Sequence, residues 1–251
     1  MLWYKMWIET RTRFLAGLVL ILCSGAGIVL SWPKVEQLLP TASSLTLEGD
    51  LGRRLRTAIE LSSNYRGYVW SQLFAQNLST LAVLFAALLG TGNILSQRAS
   101  VAFTLSLPVS RLRLLVTGAV TGLAELFTMA MAASLAISVF SPAVGASFGV
   151  WDALIHGFCL FIAAAVFFSL AFLLSTEFSD VWRPLLLTLA VALALVAVQQ
   201  VTQTSAGIYR VMSAEVFFRT GNLPWAGLLA SVAASAAMLA LSSANVARKD
   251  F

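Results

Sequence analysis

Long apolar stretches alternate with short polar connections along the whole chain. Six stretches have the length of about 20 residues that a helix needs to cross the hydrocarbon core of a bilayer. None shows the alternation of apolar and polar positions that marks a transmembrane β-strand. The pattern predicts an all-α membrane protein with one transmembrane domain over residues 1–251 and six spans, at about residues 14–31, 68–92, 114–140, 153–175, 184–201 and 225–246.

Two of the polar connections have a helical pattern of their own. Residues 1–13 place Trp3 and Trp7 on one helical face and charged side chains on another, which predicts an amphipathic helix lying on the membrane surface. In residues 34–67, Leu51, Leu55 and Ile59 are apolar residues at helical spacing, and arginines lie between them. This second pattern predicts a short amphipathic helix.

The composition agrees with a chain that lies mostly within a lipid bilayer. Hydrophobic residues make up 59% of the sequence and charged residues 11%, against about 25% charged in a soluble domain. An ordinary soluble enzyme, a disordered chain and a disulfide scaffold are excluded on this ground. The net charge of +5 comes from basic residues scattered at helix ends, which favours contact with lipid headgroups over nucleic acid.

Basic residues also indicate the orientation in the membrane. With a cytoplasmic N-terminus, nine lysines and arginines lie in the inner segments and seven in the outer ones. The positive-inside rule then favours both termini in the cytoplasm. A secretion signal is the alternative for the first apolar run, but the length of that run and the five later spans favour a retained helix.

The sequence offers little for metal or nucleotide chemistry. Cys23 and Cys159 lie in apolar windows without ligand neighbours, which predicts two buried thiols and no metal site. No lysine follows a glycine-rich run of the P-loop type, so no ATP site of that type is expected on this chain.

One segment carries a family resemblance. Residues Gly90–Arg113, with the string LSLPVSR at Leu105–Arg111, resemble the type-2 ATP-binding-cassette exporter permeases, in which such a pattern precedes the third span. The ending at Val246–Phe251 and the count of six spans are also similar to that family. The resemblance implies a transport subunit, not an enzyme, in the cytoplasmic (inner) membrane of a bacterium.

The resemblance implies partners as well. Such a permease pairs with a second copy or a related permease, and the pair rests on two separate ATPase subunits that bind ATP and Mg. The connection between spans two and three would form a cytoplasmic coupling helix against the ATPase, residues 1–13 a connecting helix, and residues 202–224 short extracellular helices that dip toward the membrane. The implied ATPase contacts are Gln97, Arg98, Phe103, Leu105, Leu107, Pro108 and Arg111. From the residues alone, a plain intracellular loop with positive-inside arginines is the alternative.

Glu125 is the only acid deep inside a predicted span, where a charge is costly. A functional hypothesis places it in a transport cavity or gives it a proton to bind. The alternative hypothesis pairs it with Arg113 or Arg183 near the cytoplasmic interface.

Amides form two further groups of polar side chains in the spans. Gln72, Gln76 and Asn77 lie nearly on one stripe of span two, and Gln199 belongs to a group that closes span five. Hydrogen bonds between helices are one explanation. The other is a substrate path, and two such stripes facing a common cavity would suit a hydrophobic, lipid-like, drug-like or peptide-like cargo that is moved by alternating access.

Two other classes of protein remain as alternatives. Ser147 lies in a GxSxG string, followed by Asp152 and His156, which has the order of a serine hydrolase triad. The motif requires a strand before the serine, and a membrane helix is predicted there instead. We therefore interpret Asp152 and His156 as a hydrogen-bonded surface pair at a helix start. A membrane assembly factor that carries no cargo is the other alternative.

Overall fold

The computed structural model describes residues 2–43, 49–91, 111–178, 180–202 and 207–248. Over these residues the protein is all-α, with only short turns between helices. Six of the helical stretches are long and apolar enough to cross a membrane. The chain is therefore a multi-pass membrane protein with six candidate spans.

The helical segments follow the predicted pattern closely. They are α1 (Leu2–Ser43), α2 (Gly49–Ser62), α3 (Tyr65–Val69), a π-helix (Trp70–Leu78), α4 (Ser79–Gly90), α5 (Arg111–Phe140), α6 (Val150–Glu177), α7 (Trp182–Thr202), α8 (Ile208–Met212), α9 (Glu215–Thr220) and α10 (Trp225–Arg248). The α3 helix, the π-helix and α4 together form the second span, and α2 is the short helix expected before it.

The first span differs from the expectation. Residues 2–43 form one helix that passes through Pro33 and Pro40, so the amphipathic start is not a separate helix on the membrane surface. The buried residues Met6, Phe14 and Ile21 explain this, because they lie on one face that runs from the amphipathic start into the span. One continuous helix buries this face without a break.

Small residues bring the spans into close contact around α6, which packs against α4, α5 and α10. A Cβ atom added at Gly90 would lie 2.5 Å from the backbone oxygen of Phe168, and one at Gly122 would lie 2.5 Å from its ring. A side chain at Gly90 would push against the backbone of α6 and force the helices apart, and one at Gly122 would displace the ring of Phe168. Close packing of this kind replaces the hydrophobic effect as the force that holds helices together in lipid.

The connection after α7 contains the short helices α8 and α9. Val211 and Met212 of α8 are buried, and α8 packs against α6. Trp70 of the π-helix donates a hydrogen bond from Nε1 to the backbone oxygen of Ser213 at 2.9 Å. These contacts hold α8 beside the start of the second span, where it forms one wall of the site described next.

Candidate functional site

A cleft of about 660 Å³ opens between the second span, the C-terminal part of α7 and α8. This volume is in the range of sites that bind organic molecules. Small and polar side chains line the cleft, and none of them is acidic: Ala75, Gln76, Ser79, Thr80, Val196, Gln199, Tyr209 and Arg210.

The wall formed by α7 and α8 is fixed by hydrogen bonds. The backbone N–H of Tyr209 donates to Oε1 of Gln199 at 3.2 Å, and the Tyr209 hydroxyl donates to the backbone oxygen of Ala192 at 2.9 Å. Burial raises the pKa of Tyr209 to about 12, so its phenol stays protonated at neutral pH. Gln199 therefore faces the cleft with its amide held by α8.

The opposite wall is where the second span changes from π-helix to α-helix. Ser79 donates from its hydroxyl to the backbone oxygen of Phe74 at 2.6 Å, and Thr80 donates to that of Gln76 at 2.8 Å. Both hydroxyl protons are therefore used inside the helix, whereas the amide of Gln76 is exposed. π-Helical segments occur frequently at functional sites, and this one presents a polar wall to the cleft.

The charge beside the cleft comes from one carboxylate between two guanidinium groups. Nε of Arg210 lies 3.3 Å from Oε2 of Glu215, and Nε of Arg219 lies 2.9 Å from Oε1 of the same residue. Ala214 has a left-handed conformation with a φ of 50°, which turns the chain between α8 and α9. The three charged groups together carry a net charge of +1.

The structure brings two of the predicted substrate-path residues together. Gln76 and Gln199, which are 123 positions apart in the chain (199 − 76), line the same cleft. Gln72 is half-buried and Asn77 is exposed, and neither lines it. The sequence analysis missed Tyr209 and Arg210, since neither the turn at Ala214 nor the packing of α8 on α6 leaves a signal in the local pattern.

Glu125 lies elsewhere, in the contact between α5 and α1. Its side chain is 4% exposed, and Oε1 accepts a hydrogen bond from the hydroxyl of Thr10. The described residues offer no partner to Oε2. Among the described residues, the structure therefore does not support the alternative that pairs Glu125 with Arg113 or Arg183, and the functional hypothesis stays a prediction. Arg183 pairs instead with Asp180 at 3.1 Å, because the turn before α7 holds these two side chains together.

The arrangement around Ser147 does not form a hydrolase triad. A 3₁₀ turn (Ser141–Val144) precedes the serine where the motif needs a strand. The carboxylate of Asp152 lies 3.3 Å from Nε of Arg66, so it does not orient the histidine.

His156 is buried, at 1% exposed, and the expected surface pair is wrong. Its Nδ1 is 2.7 Å from the backbone oxygen of Asp152, which identifies Nδ1 as the protonated donor. The rings of Phe74, Phe148 and Phe217 surround the imidazole at centroid distances of 4.4, 6.2 and 5.6 Å. These rings come from three separate segments, so the burial is a tertiary effect.

The implied coupling contacts mostly lie outside the described residues: Gln97, Arg98, Phe103, Leu105, Leu107 and Pro108. Arg111 is the first residue of α5. These assignments remain predictions.

Cys159 is buried as expected, but Cys23 is exposed. That expectation was wrong because an apolar window predicts contact with lipid as readily as contact with protein. Among the described residues, no group of three or more histidine, cysteine, aspartate or glutamate side chains could hold a metal ion.

Comparisons with known proteins identify no relative: no protein-family model, no curated protein and no solved structure matches this chain. The function is therefore argued from the residues and from the geometry of the cleft.

Proposed function

We propose that this chain is the membrane-spanning permease subunit of an ATP-driven exporter, with the ATPase on separate chains. The observation that carries the proposal is the polar cleft in a bundle of six apolar helices, where Gln76 and Gln199 from two different spans face the same space. The similarity of Leu105–Arg111 to the type-2 exporter permeases supports the choice of energy source.

The geometry indicates how such a subunit would work. One wall of the cleft belongs to the second span and the other to α7 and α8, so a movement of one span past the other changes the width of the cleft. In the proposed cycle, ATP binding on two partner ATPases pushes the segment 96–109, which lies between the second and third spans in the sequence. A second permease, identical or related, completes the path in the inner membrane. Both termini are cytoplasmic in this arrangement.

Copurification tests the partnership. We expect the full chain, tagged and extracted from its native membrane in mild detergent, to bring down an ATP-hydrolysing subunit. Arg98→Glu should reduce the amount of that subunit severalfold, because it reverses a charge in the proposed contact. Lys34→Glu is the control, with the same charge reversal at an exposed position near the C-terminal end of α1, and should leave the amount unchanged. The proposal is wrong if no ATPase copurifies with the wild-type chain.

A second measurement separates a transporter from an assembly factor. In reconstituted vesicles that contain the ATPase partner, a cargo should stimulate ATP hydrolysis, and Gln76→Leu together with Gln199→Leu should abolish the stimulation while the partner stays bound. An assembly factor without cargo would show no stimulation by any amphiphile. The pairing of the Asp152 carboxylate with Arg66 argues against the hydrolase alternative.

A further inference from the structure

One carboxyl group lies inside the helical bundle. Among the described acidic residues only Glu125 is buried, at 4% exposed, and it lies where α5 contacts Thr10 of α1. Gly122, about one helical turn before it, meets the ring of Phe168, whose backbone lies against Gly90 at the end of the second span. The carboxyl group is therefore about one turn from the level at which the second span ends.

The charged groups of α1 near this carboxyl are directed elsewhere. The titratable residues of α1 within two turns of Thr10 are Tyr4, Lys5, Glu9, Arg11 and Arg13. Arg11 is exposed, and Arg13 donates to two backbone oxygens at the end of α4. The described residues thus offer Glu125 no partner besides Thr10.

The other helices that pack against α5 bring no charge to this level. The α4 helix contains no titratable residue. On α6, the titratable residues nearest to Phe168 are Cys159 and Glu177, each nine residues away (168 − 159 and 177 − 168), or about 13 Å along the helix. The only charged residue of α10 is Arg248, at its end. On α5 itself, the nearer arginine, Arg113, is twelve residues before the carboxyl (125 − 113), or about 18 Å. A carboxylate here would be a buried charge without an opposite charge beside it, which is costly.

The hydrogen bonds of Thr10 show how this contact can hold a proton. A hydroxyl donates one hydrogen bond, and the Thr10 hydroxyl is 3.1 Å from the backbone oxygen of Met6 and also within hydrogen-bond distance of Oε1 of Glu125. An ionised carboxylate accepts the hydrogen bond of Thr10 and keeps its negative charge inside the bundle. With a protonated carboxyl group the bond reverses: Oε1 donates to Thr10, and Thr10 donates to Met6. In this second arrangement both protons have an acceptor and no charge is buried.

We infer that Glu125 is a proton-binding site, and that the bound proton links α1 to α5 through Thr10. The ligand is a single proton, which is held at Oε1 and exchanges with water when the two helices separate. In the proposed orientation this end of the bundle is cytoplasmic, so the packing of the first span responds to pH on that side. The site belongs to this chain alone and is tested without nucleotide or ATPase, so its failure leaves the proposed function standing.

The first test detects the proton by infrared spectroscopy. The purified full-length chain is measured at neutral pH in a maltoside detergent, which contains no carbonyl group. We expect the C=O band of one protonated carboxyl group, which shifts in D₂O and is lost in Glu125→Gln. Glu60→Gln is the control, because Glu60 of α2 is exposed and exposed carboxyl groups are ionised at neutral pH. If a folded Glu125→Gln chain has the same carboxyl bands as the wild type, Glu125 is ionised and the inference is wrong.

The second test places the proton in the contact with α1. Thr10→Val removes the acceptor of the carboxyl proton, so the Glu125 band should move to higher frequency. Thr10→Ser keeps the hydroxyl and should restore the frequency of the wild type. A band that stays at the same frequency in Thr10→Val would overturn the inference, since the proton would then lie outside this contact.

The third test asks whether the proton holds the two helices together. Spin labels on Thr12→Cys of α1 and Thr128→Cys of α5, both exposed positions, report the distance between the helices in a chain whose two native cysteines are replaced. The distance should increase at the alkaline pH at which the infrared band disappears. It should stay constant over the same range in Glu125→Gln, whose amide is always neutral and can still donate to Thr10. No change in the chain with Glu125, or an equal change in both chains, would contradict the proposed link.

Discussion

The two ends of the helical bundle are held together by different means. At the end that we call the aromatic end, the ring of Trp32 packs against those of Tyr65 and Tyr68 at centroid distances of 5.4 and 5.1 Å. In the same region Trp70 stacks on Phe218 at 4.5 Å. Several segments that are distant in sequence thus meet through large apolar surfaces.

The other end, which we call the arginine end, depends on polar contacts of α1. The guanidinium of Arg13 donates to the backbone oxygens of Leu88 and Thr91 at 3.0 and 2.6 Å, where α4 ends. Nearby on α1, Thr10 donates to Glu125 of α5. Thr10 and Arg13, which are less than one helical turn apart, therefore connect α1 to two other spans.

The two ends should therefore differ in their sensitivity to single substitutions. At the aromatic end the buried area is shared among many rings, so the loss of one polar atom leaves the packing in place. At the arginine end one guanidinium makes both contacts from α1 to the end of α4, where the Thr91 hydroxyl also donates to the Leu88 oxygen at 3.1 Å. We therefore expect larger effects from substitutions at the arginine end.

The largest effect is expected from Arg13→Leu. This change removes two hydrogen bonds from a charged donor and leaves two carbonyl groups at the end of α4 without that partner. The free energy of unfolding should fall by about 2 kcal/mol, which lowers Tm by roughly 6 °C in a chain of this size. Thermal unfolding in detergent, followed by circular dichroism, measures the change.

Arg11→Leu is the matched control for that prediction, because it removes the same side chain two residues earlier on an exposed face of α1. Its Tm should stay within about 1 °C of the wild type. Equal losses of stability in the two variants would show that the positive charge of α1, and not the contact to α4, stabilises this end.

A smaller effect is expected from Tyr65→Phe at the aromatic end. The Tyr65 hydroxyl lies 2.6 Å from the hydroxyl of Ser141, which itself donates to the backbone oxygen of Ile137. Removing the phenol oxygen therefore leaves no buried donor unpaired, while the ring still packs on Trp32. We expect a loss of about 1 kcal/mol in thermal unfolding. A loss as large as that of Arg13→Leu would contradict the contrast between the two ends.

The sequence predicts the spans well because hydropathy over 20 residues is a local property. It does not predict the contacts that define either end or the cleft, because their partners are far apart in the chain. Thr10 and Glu125 are 115 positions apart, and Arg13 reaches carbonyl groups 75 and 78 positions away. A carboxylate in an apolar window indicates an unusual site, but its partner depends on which helices pack together.

The candidate site was predictable only in part for the same reason. The amides of Gln76 and Gln199 stood out as polar residues in apolar spans, and both line the cleft. Tyr209 and Arg210 lie in a polar connection, where their residue types are ordinary. The burial of His156 likewise depends on rings from other segments, so its spacing from Asp152 gave the wrong interpretation.

The smallest effect is expected from the ion pair of the aromatic end. Nε of Arg66 lies 3.3 Å from Oδ2 of Asp152, with the two side chains 43% and 28% exposed, and its guanidinium lies 5.7 Å from the ring centre of Phe218. Solvent screens a pair this exposed, so Arg66→Gln should lower the free energy of unfolding by about 0.5 kcal/mol. A double-mutant cycle with Asp152→Asn measures the coupling directly and should give a similar value. A coupling energy above about 2 kcal/mol would mean that the aromatic end also depends on one polar contact. The contrast with the arginine end would then be lost.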